Sequence, residues 1–170
     1  MVDVTSDVVE RAWSALETVT DPEIPVITLR ELGILRDVQE TEAGLQVIIT
    51  PSYSGCPAMG QIKDDVRSAL EQAGIPAQVV TRLAPAWTTD WLSDEAKEKL
   101  RAYGIAPPQR TRPDVSVLKF MRRPPANEPV ACPQCGSTHT LVSSQFGSTA
   151  CKALYKCLDC LEPFDYFKPY

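Results

Sequence analysis

Five of the six cysteines in this chain crowd its last 39 residues, and their spacing suits metal chemistry. Cys132-Pro133-Gln134-Cys135-Gly136 and Cys157-Leu158-Asp159-Cys160 are two Cys-x-x-Cys units with 21 residues between them. Two intervening residues let both sulfurs of a unit reach one ion from a tight turn. Two such turns, brought together by a hairpin, close a tetrahedral four-thiolate site. Pro133 stiffens the first turn, and Gly136 permits the positive φ that ends it. A closed site has no open coordination position, so its expected role is structural, with zinc the best fit. The residues alone leave three other uses open: a single iron, an iron–sulfur cluster, or a pair of redox dithiols. Cys151 lies six residues before Cys157 and breaks both spacings. It stays outside the main ligand set, although it could join or replace the four in a cluster. His139 reads as a surface turn residue.

Cys56 stands alone, in Thr50-Pro51-Ser52-Tyr53-Ser54-Gly55-Cys56-Pro57. Pro57 suits the first position of a helix, which puts Cys56 at or beside its N-cap. The unpaired N–H groups there favour a thiolate, able to attack an electrophile or hold a soft metal. A small buried residue at a strand–helix corner accounts for the same pattern. The only histidine, His139, is remote in sequence, which weighs against cysteine-protease chemistry. Asp21 and Glu23 flank Pro22 in an earlier loop. They could cap the following turn, bond backbone near Cys56 or bind a metal.

Composition bounds the rest. The 170 residues are 44% hydrophobic and carry a net charge of −5, enough apolar content for a core and the wrong sign for a general nucleic-acid or membrane-surface protein. No apolar run approaches a membrane span, and acids stand where a secretory signal has bases, so the expected location is cytoplasmic. Cysteines there serve metals or redox chemistry more often than disulfides. Residues 1–104 hold 17 acids and 9 bases, residues 105–170 hold 5 acids and 8 bases, and six of the fifteen prolines fall within 105–129. The expected organisation is an acidic domain over 1–104, a proline-rich basic linker over 105–129 and a four-cysteine module over 130–170. The linker bases are Arg110, Arg112, Lys119, Arg122 and Arg123.

Periodicity supplies the elements that position these residues. Val9, Ala12, Trp13 and Leu16 mark one face of a helix, with Ser6 or Asp7 as cap. Thr28 and Glu31 match a capping box, closed by Gly33. Ile34–Gln39 and Leu45–Thr50 alternate as a β-hairpin. Met59, Ile62, Val66, Ala69 and Leu70 stripe a second helix, Ala77–Leu83 reads as a strand, and Asp94–Tyr103 as a third helix capped by Ser93. Strands are expected at 140–146, 153–156 and 164–167. The fold class is α+β: a small α/β sandwich on a mostly three-stranded sheet, plus a zinc-ribbon-like β module.

Asp21-Pro22-Glu23-Ile24-Pro25, Leu32-Gly33-Ile34 and the run from Thr50 to Pro57 resemble the iron–sulfur-assembly domain of SufT-like proteins, over roughly residues 6–105. Tyr53–Met59, Tyr103–Pro108, the ribbon-like tail and Phe146–Tyr155 extend the resemblance to the PaaD-like proteins of the bacterial aerobic phenylacetate pathway. The resemblance implies a non-enzymatic accessory or maturation factor for the phenylacetyl-CoA epoxygenase. Its partners would be the diiron oxygenase subunit or the iron–sulfur reductase. It also implies that Cys56 transiently holds iron or a cluster or meets the client, that Asp21 and Glu23 support its loop, and that Cys151 lies in a family-specific run. Cys56 could act within one chain or across a homodimer. A stoichiometric oxygenase subunit and a zinc-ribbon nucleic-acid binder are the rival readings. Only Lys152, Lys156 and Lys168 are basic within the ribbon, which disfavours the last.

Overall fold

The computed structural model describes residues 4–109 and 129–170; the linker bases from Arg110 to Arg123 lie outside the described residues. The chain divides into two compact units, Met1–Lys99 and Leu100–Tyr170.

The first unit is a two-layer α/β sandwich. Val4–Leu16 forms α1, which starts earlier than its expected caps, so Asp7 acts within the first turn on the positive end of the helix dipole. Leu35–Thr41 (β1) and Gly44–Ile49 (β2) make the hairpin, with Val38 opposite Val47. Ala77–Thr81 (β3) lies parallel to β2 and places Val79 opposite Val47. Parallel neighbours need a crossover, and Met59–Gln72 (α2) supplies it. The sheet order is β1-β2-β3. α1 packs on α2 and β1, and α2 on β3.

The apolar stripes meet as periodicity requires. Ala12 and Leu16 of α1, Ile62, Val66 and Leu70 of α2, and Val47 and Ile49 of β2 are all buried. Each large aliphatic side chain so buried stabilises the fold by about 1.5–3 kcal/mol. Ile48 and Thr50, which alternate with Val47 and Ile49, are buried too, so both faces are covered at the end of β2.

The Thr28–Glu31 box forms: the Glu31 N–H donates to Thr28 Oγ1 at 3.2 Å and the Thr28 N–H to Glu31 Oε2 at 2.9 Å. It closes one turn at Gly33, whose φ is +76°. A Cβ at Gly33 would stand 2.8 Å from the Cβ of Trp91, and Trp87 Nε1 donates to Leu32 O at 3.0 Å. The Trp87–Trp91 segment is thereby laid on this turn. Asp94–Ala102 (α3) follows, capped by Ser93 Oγ, which accepts the Ala96 N–H at 3.0 Å.

The second unit is built on a four-stranded sheet of order β4-β7-β6-β5. Thr140–Ser144 (β5), Lys152–Cys157 (β6) and Pro163–Phe167 (β7) form an antiparallel ribbon, and Ile105–Ala106 (β4) adds a parallel edge to β7. Proline content placed Ile105 and Ala106 in the linker; they are buried sheet residues instead. β5 ends at Ser144 after a register shift, which leaves Phe146 in the next loop. Val130, Ala153, Phe164 and Tyr166 pack with Cys132 and Cys157 into a small core.

Candidate functional site

The ribbon brings Cys132, Cys135, Cys157 and Cys160 together, every Sγ within 4.8 Å of the others. Cys132 Sγ is 3.7 Å from Cys160 Sγ, and Cys135 Sγ is 3.6 Å from Cys157 Sγ. A tetrahedron with zinc–sulfur bonds of about 2.3 Å has edges of about 3.8 Å. The donor set therefore fits one tetrahedral ion with four soft ligands. Cys132 and Cys157 are buried, Cys160 is half-buried and Cys135 faces solvent.

Each cysteine pair sits on a tight turn, or knuckle, that aims backbone N–H groups at the sulfurs. In the first, Gly136 N–H donates to Cys132 O at 2.9 Å and Cys132 N–H to Ser137 O at 2.8 Å, with Gly136 at φ +74°. In the second, Cys157 N–H donates to Glu162 O at 3.0 Å, with Leu161 at φ +67°. The N–H of Cys160, then that of Asp159 and the neighbouring thiols, draw the Cys157 thiol down to about 7 against its burial. Cys160 accepts the Glu162 N–H, yet burial and the Cys157, Cys135 and Cys132 sulfurs push it up to about 12. Cys135 accepts the Ser137 N–H and, although it faces solvent, is likewise raised by partial desolvation among the clustered sulfurs and by Cys157. Four thiols this close cannot all ionise on their own. A bound cation would hold all four as thiolates.

Side chains tie the two knuckles together. Ser137 Oγ donates to Asp159 Oδ2, and His139 Nδ1 lies 3.1 Å from Asp159 Oδ1. These bonds, that from Ser137 first, hold the Asp159 carboxyl below its ordinary range. His139 is a surface residue, as expected, and its ring serves Asp159. Sequence reading missed this clasp, because Ser137 and Asp159 are 22 positions apart.

Cys56 lies in the loop between β2 and α2, at the carboxyl end of a parallel strand. In open α/β sheets that end presents loops to ligands. The Cys56 N–H donates to Tyr53 O at 3.2 Å, and Cys56 O accepts the Met59 N–H at 3.3 Å. The expected position at or beside the N-cap is corrected: Ala58, two residues on, is the N-cap and α2 begins at Met59. The turn closed by Cys56 O takes up Pro57 and Ala58 before the first α-helical bond, from Ile62 N–H to Ala58 O at 2.9 Å. The dipole reaches Cys56 correspondingly less, since it fades within a turn. Cys56 is half-buried, not sealed in apolar side chains. At the same end of the sheet, Thr81 Oγ1 is buried without a hydrogen-bond partner.

Asp21 is buried, and its Oδ1 accepts the N–H groups of Glu23 and Ile24, each at 2.9 Å. That is the capping role, fixing the turn through Pro22. Glu23 is exposed. Among the described residues the four ribbon cysteines are the one set of three or more His, Cys, Asp or Glu side chains close enough to share an ion. Cys56, Asp21 and Glu23 do not form a second. Cys151 is buried just ahead of β6, with its Sγ 3.0 Å from Thr149 Oγ1, apart from the ligand set. No disulfide joins any of the six.

Comparison with known proteins agrees with this two-part layout. Residues 10–82 match the family model described as iron-sulfur cluster assembly protein, and residues 121–168 match the PaaD zinc beta ribbon domain. A protein of Escherichia coli (strain K12), named as the D component of a "Putative 1,2-phenylacetyl-CoA epoxidase", is 47% identical over 161 residues, covering 94% of this chain and 92% of that protein. The Fe-S protein maturation auxiliary factor YitW of Bacillus subtilis (strain 168) is 36% identical over 87 residues, or 51% of this chain and 82% of that one. A crystal structure of a domain of unknown function, DUF59, from Bacillus anthracis superposes with a TM-score of 0.52 at 28% identity, over 57% of this chain and 94% of that chain. With the end-to-end match to the Escherichia coli protein and the ribbon model together, the chain belongs to the PaaD family.

Proposed function

We propose that this chain is a non-catalytic accessory factor that helps assemble or repair an iron–sulfur or diiron cofactor on phenylacetyl-CoA epoxidase. The observation that carries the reading is the division of sulfurs within one chain. Four are gathered in a closed set fit for a structural zinc, and a fifth, Cys56, is half-buried in a loop at the carboxyl end of a parallel strand. The closed set would fold and stiffen the ribbon. Cys56 would take iron or a cluster as cargo, or contact the client. Asp21 fixes its own turn by accepting the N–H groups of Glu23 and Ile24. The match of residues 10–82 to the iron-sulfur cluster assembly model, with the maturation-factor name of the Bacillus subtilis relative, supports assigning the assembly role to the first unit.

The name of the Escherichia coli relative, that of an epoxidase component, favours a second reading: a stoichiometric part of the oxygenase that transfers no metal. One experiment separates them. Epoxidase is produced with the wild-type chain, with Cys56→Ala and without the chain. The accessory reading expects Cys56→Ala to keep its own zinc and fold while client iron content and activity fall. Co-purification at fixed ratio with unchanged client iron in Cys56→Ala selects the stoichiometric component. Full client iron and activity without the chain removes both.

A further inference from the structure

The two knuckles obey the same backbone rule with different residues. The residue after the second cysteine of each pair takes the left-handed conformation, Gly136 at φ +74° and Leu161 at φ +67°. Glycine adopts it without steric cost, whereas leucine crowds its Cβ against the backbone. A strained leucine usually gains something from its side chain. Leu161 gains little within the chain, because it is 64% exposed. Leu158, three residues earlier on the same turn, is 36% exposed. Asp159 lies between them with its carboxylate fixed by Ser137 and His139, and exposed Glu162 follows. The second knuckle thus presents two leucines bordered by two acids, on a turn that one metal ion would make rigid. Backbone strain kept for an exposed apolar side chain marks a surface with a use.

We propose that the second knuckle is a docking surface, on which Leu158 and Leu161 seat in an apolar pocket of a protein partner whose rim is basic, opposite Asp159 and Glu162. Burial of the leucines supplies affinity, and the acid rim supplies orientation and encounter rate. The inference rests on the accessory reading for its partner, the epoxidase complex, and adds the surface by which the chain reaches it.

The test measures binding of purified epoxidase complex to the wild-type full chain and to Leu161→Gly, Leu161→Asn and Glu162→Lys, with zinc content, melting temperature and solution mass for each. Glycine and asparagine both tolerate the left-handed backbone, so the two Leu161 variants control for flexibility. The expected result is unchanged zinc, equal or higher melting temperature for both Leu161 variants, and binding weakened by about tenfold or more. Glu162→Lys should weaken binding most at low salt. Undiminished binding by both Leu161 variants overturns the proposal. So does a lower melting temperature for both, which would mean that the chain itself covers Leu161. A change in solution mass would assign the surface to a second copy and overturn the partner named here. No binding by the wild-type chain would instead remove the epoxidase as partner, and with it the reading on which the proposal rests.

Discussion

Ser137 on the first cysteine knuckle donates its hydroxyl to the carboxylate of Asp159 on the second, and His139 holds the other carboxylate oxygen at 3.1 Å. The two halves of the metal centre are therefore joined outside the sulfurs. The clasp lies on the surface, so its effect belongs in how readily the knuckles part rather than in total stability. Asp159→Ala should keep a full equivalent of zinc at rest and lose it faster to a chelator. Release rates equal to wild type would show that the sulfurs alone hold the knuckles.

The cysteines themselves should divide sharply. Cys135 is a solvent-facing member of the four-sulfur set, whereas Cys151 is buried beside Thr149 and outside it. Serine at 135 costs little packing but removes a thiolate. Cys135→Ser should lose zinc and unfold the ribbon, because apparent structural zinc affinities of about 10–16 kcal/mol are folding energy in so small a core. Cys151→Ser should keep zinc. Zinc retained in Cys135→Ser, or lost in Cys151→Ser, would show that the ligand set is wrong.

Much of this site was legible in the sequence because its determinants are local. Two residues between thiols fix a knuckle, and Gly136 announces the positive φ. The Thr28–Glu31 box formed for the same reason. What sequence missed depends on residues far apart in the chain or on competition between neighbouring turns. Ile105 and Ala106 look like the start of a proline-rich linker until β7 offers them a ladder. Pro57 fits a first helical position, but the turn from Cys56 O to Met59 N–H delays α2 by two residues. Leu161 carries no signal, since leucine predicts nothing about a left-handed turn.

Gly33 shows the same limit and can be tested directly. Sequence reading uses it to close a turn; the structure also packs Trp91 against it. Gly33→Ala would place a Cβ 2.8 Å from Trp91 Cβ at a φ of +76°. Strain and displacement of the Trp91 segment add, so the first unit should lose about 1–3 kcal/mol. Urea unfolding followed by tryptophan fluorescence measures it. A variant as stable as wild type would mean that the Trp87–Trp91 segment moves away without cost.

Glu31 and Lys99 should set the pH limits of that unit's stability. Lys99 Nζ lies 2.6 Å from Glu31 Oε1, and Glu31 also accepts the Thr28 N–H at 2.9 Å. Burial alone would raise the Glu31 carboxyl, but the bonds from Lys99 and Thr28 outweigh it and hold the group below its ordinary 4.5. The bond to Glu31, against some desolvation, raises Lys99 above 10.5. A lowered acid stabilises fully above its unfolded pKa and ceases to do so as pH falls through the folded value. A raised base stabilises fully below its unfolded pKa and ceases as pH rises through the folded one. The wild-type advantage over Glu31→Gln should therefore be constant between the two ordinary values, 4.5 and 10.5, and shrink on either side. Urea midpoints read by tryptophan fluorescence across pH give that difference. An advantage that stays level as pH falls well below 4.5 would show that Glu31 acts through its shape and Thr28 rather than through its charge.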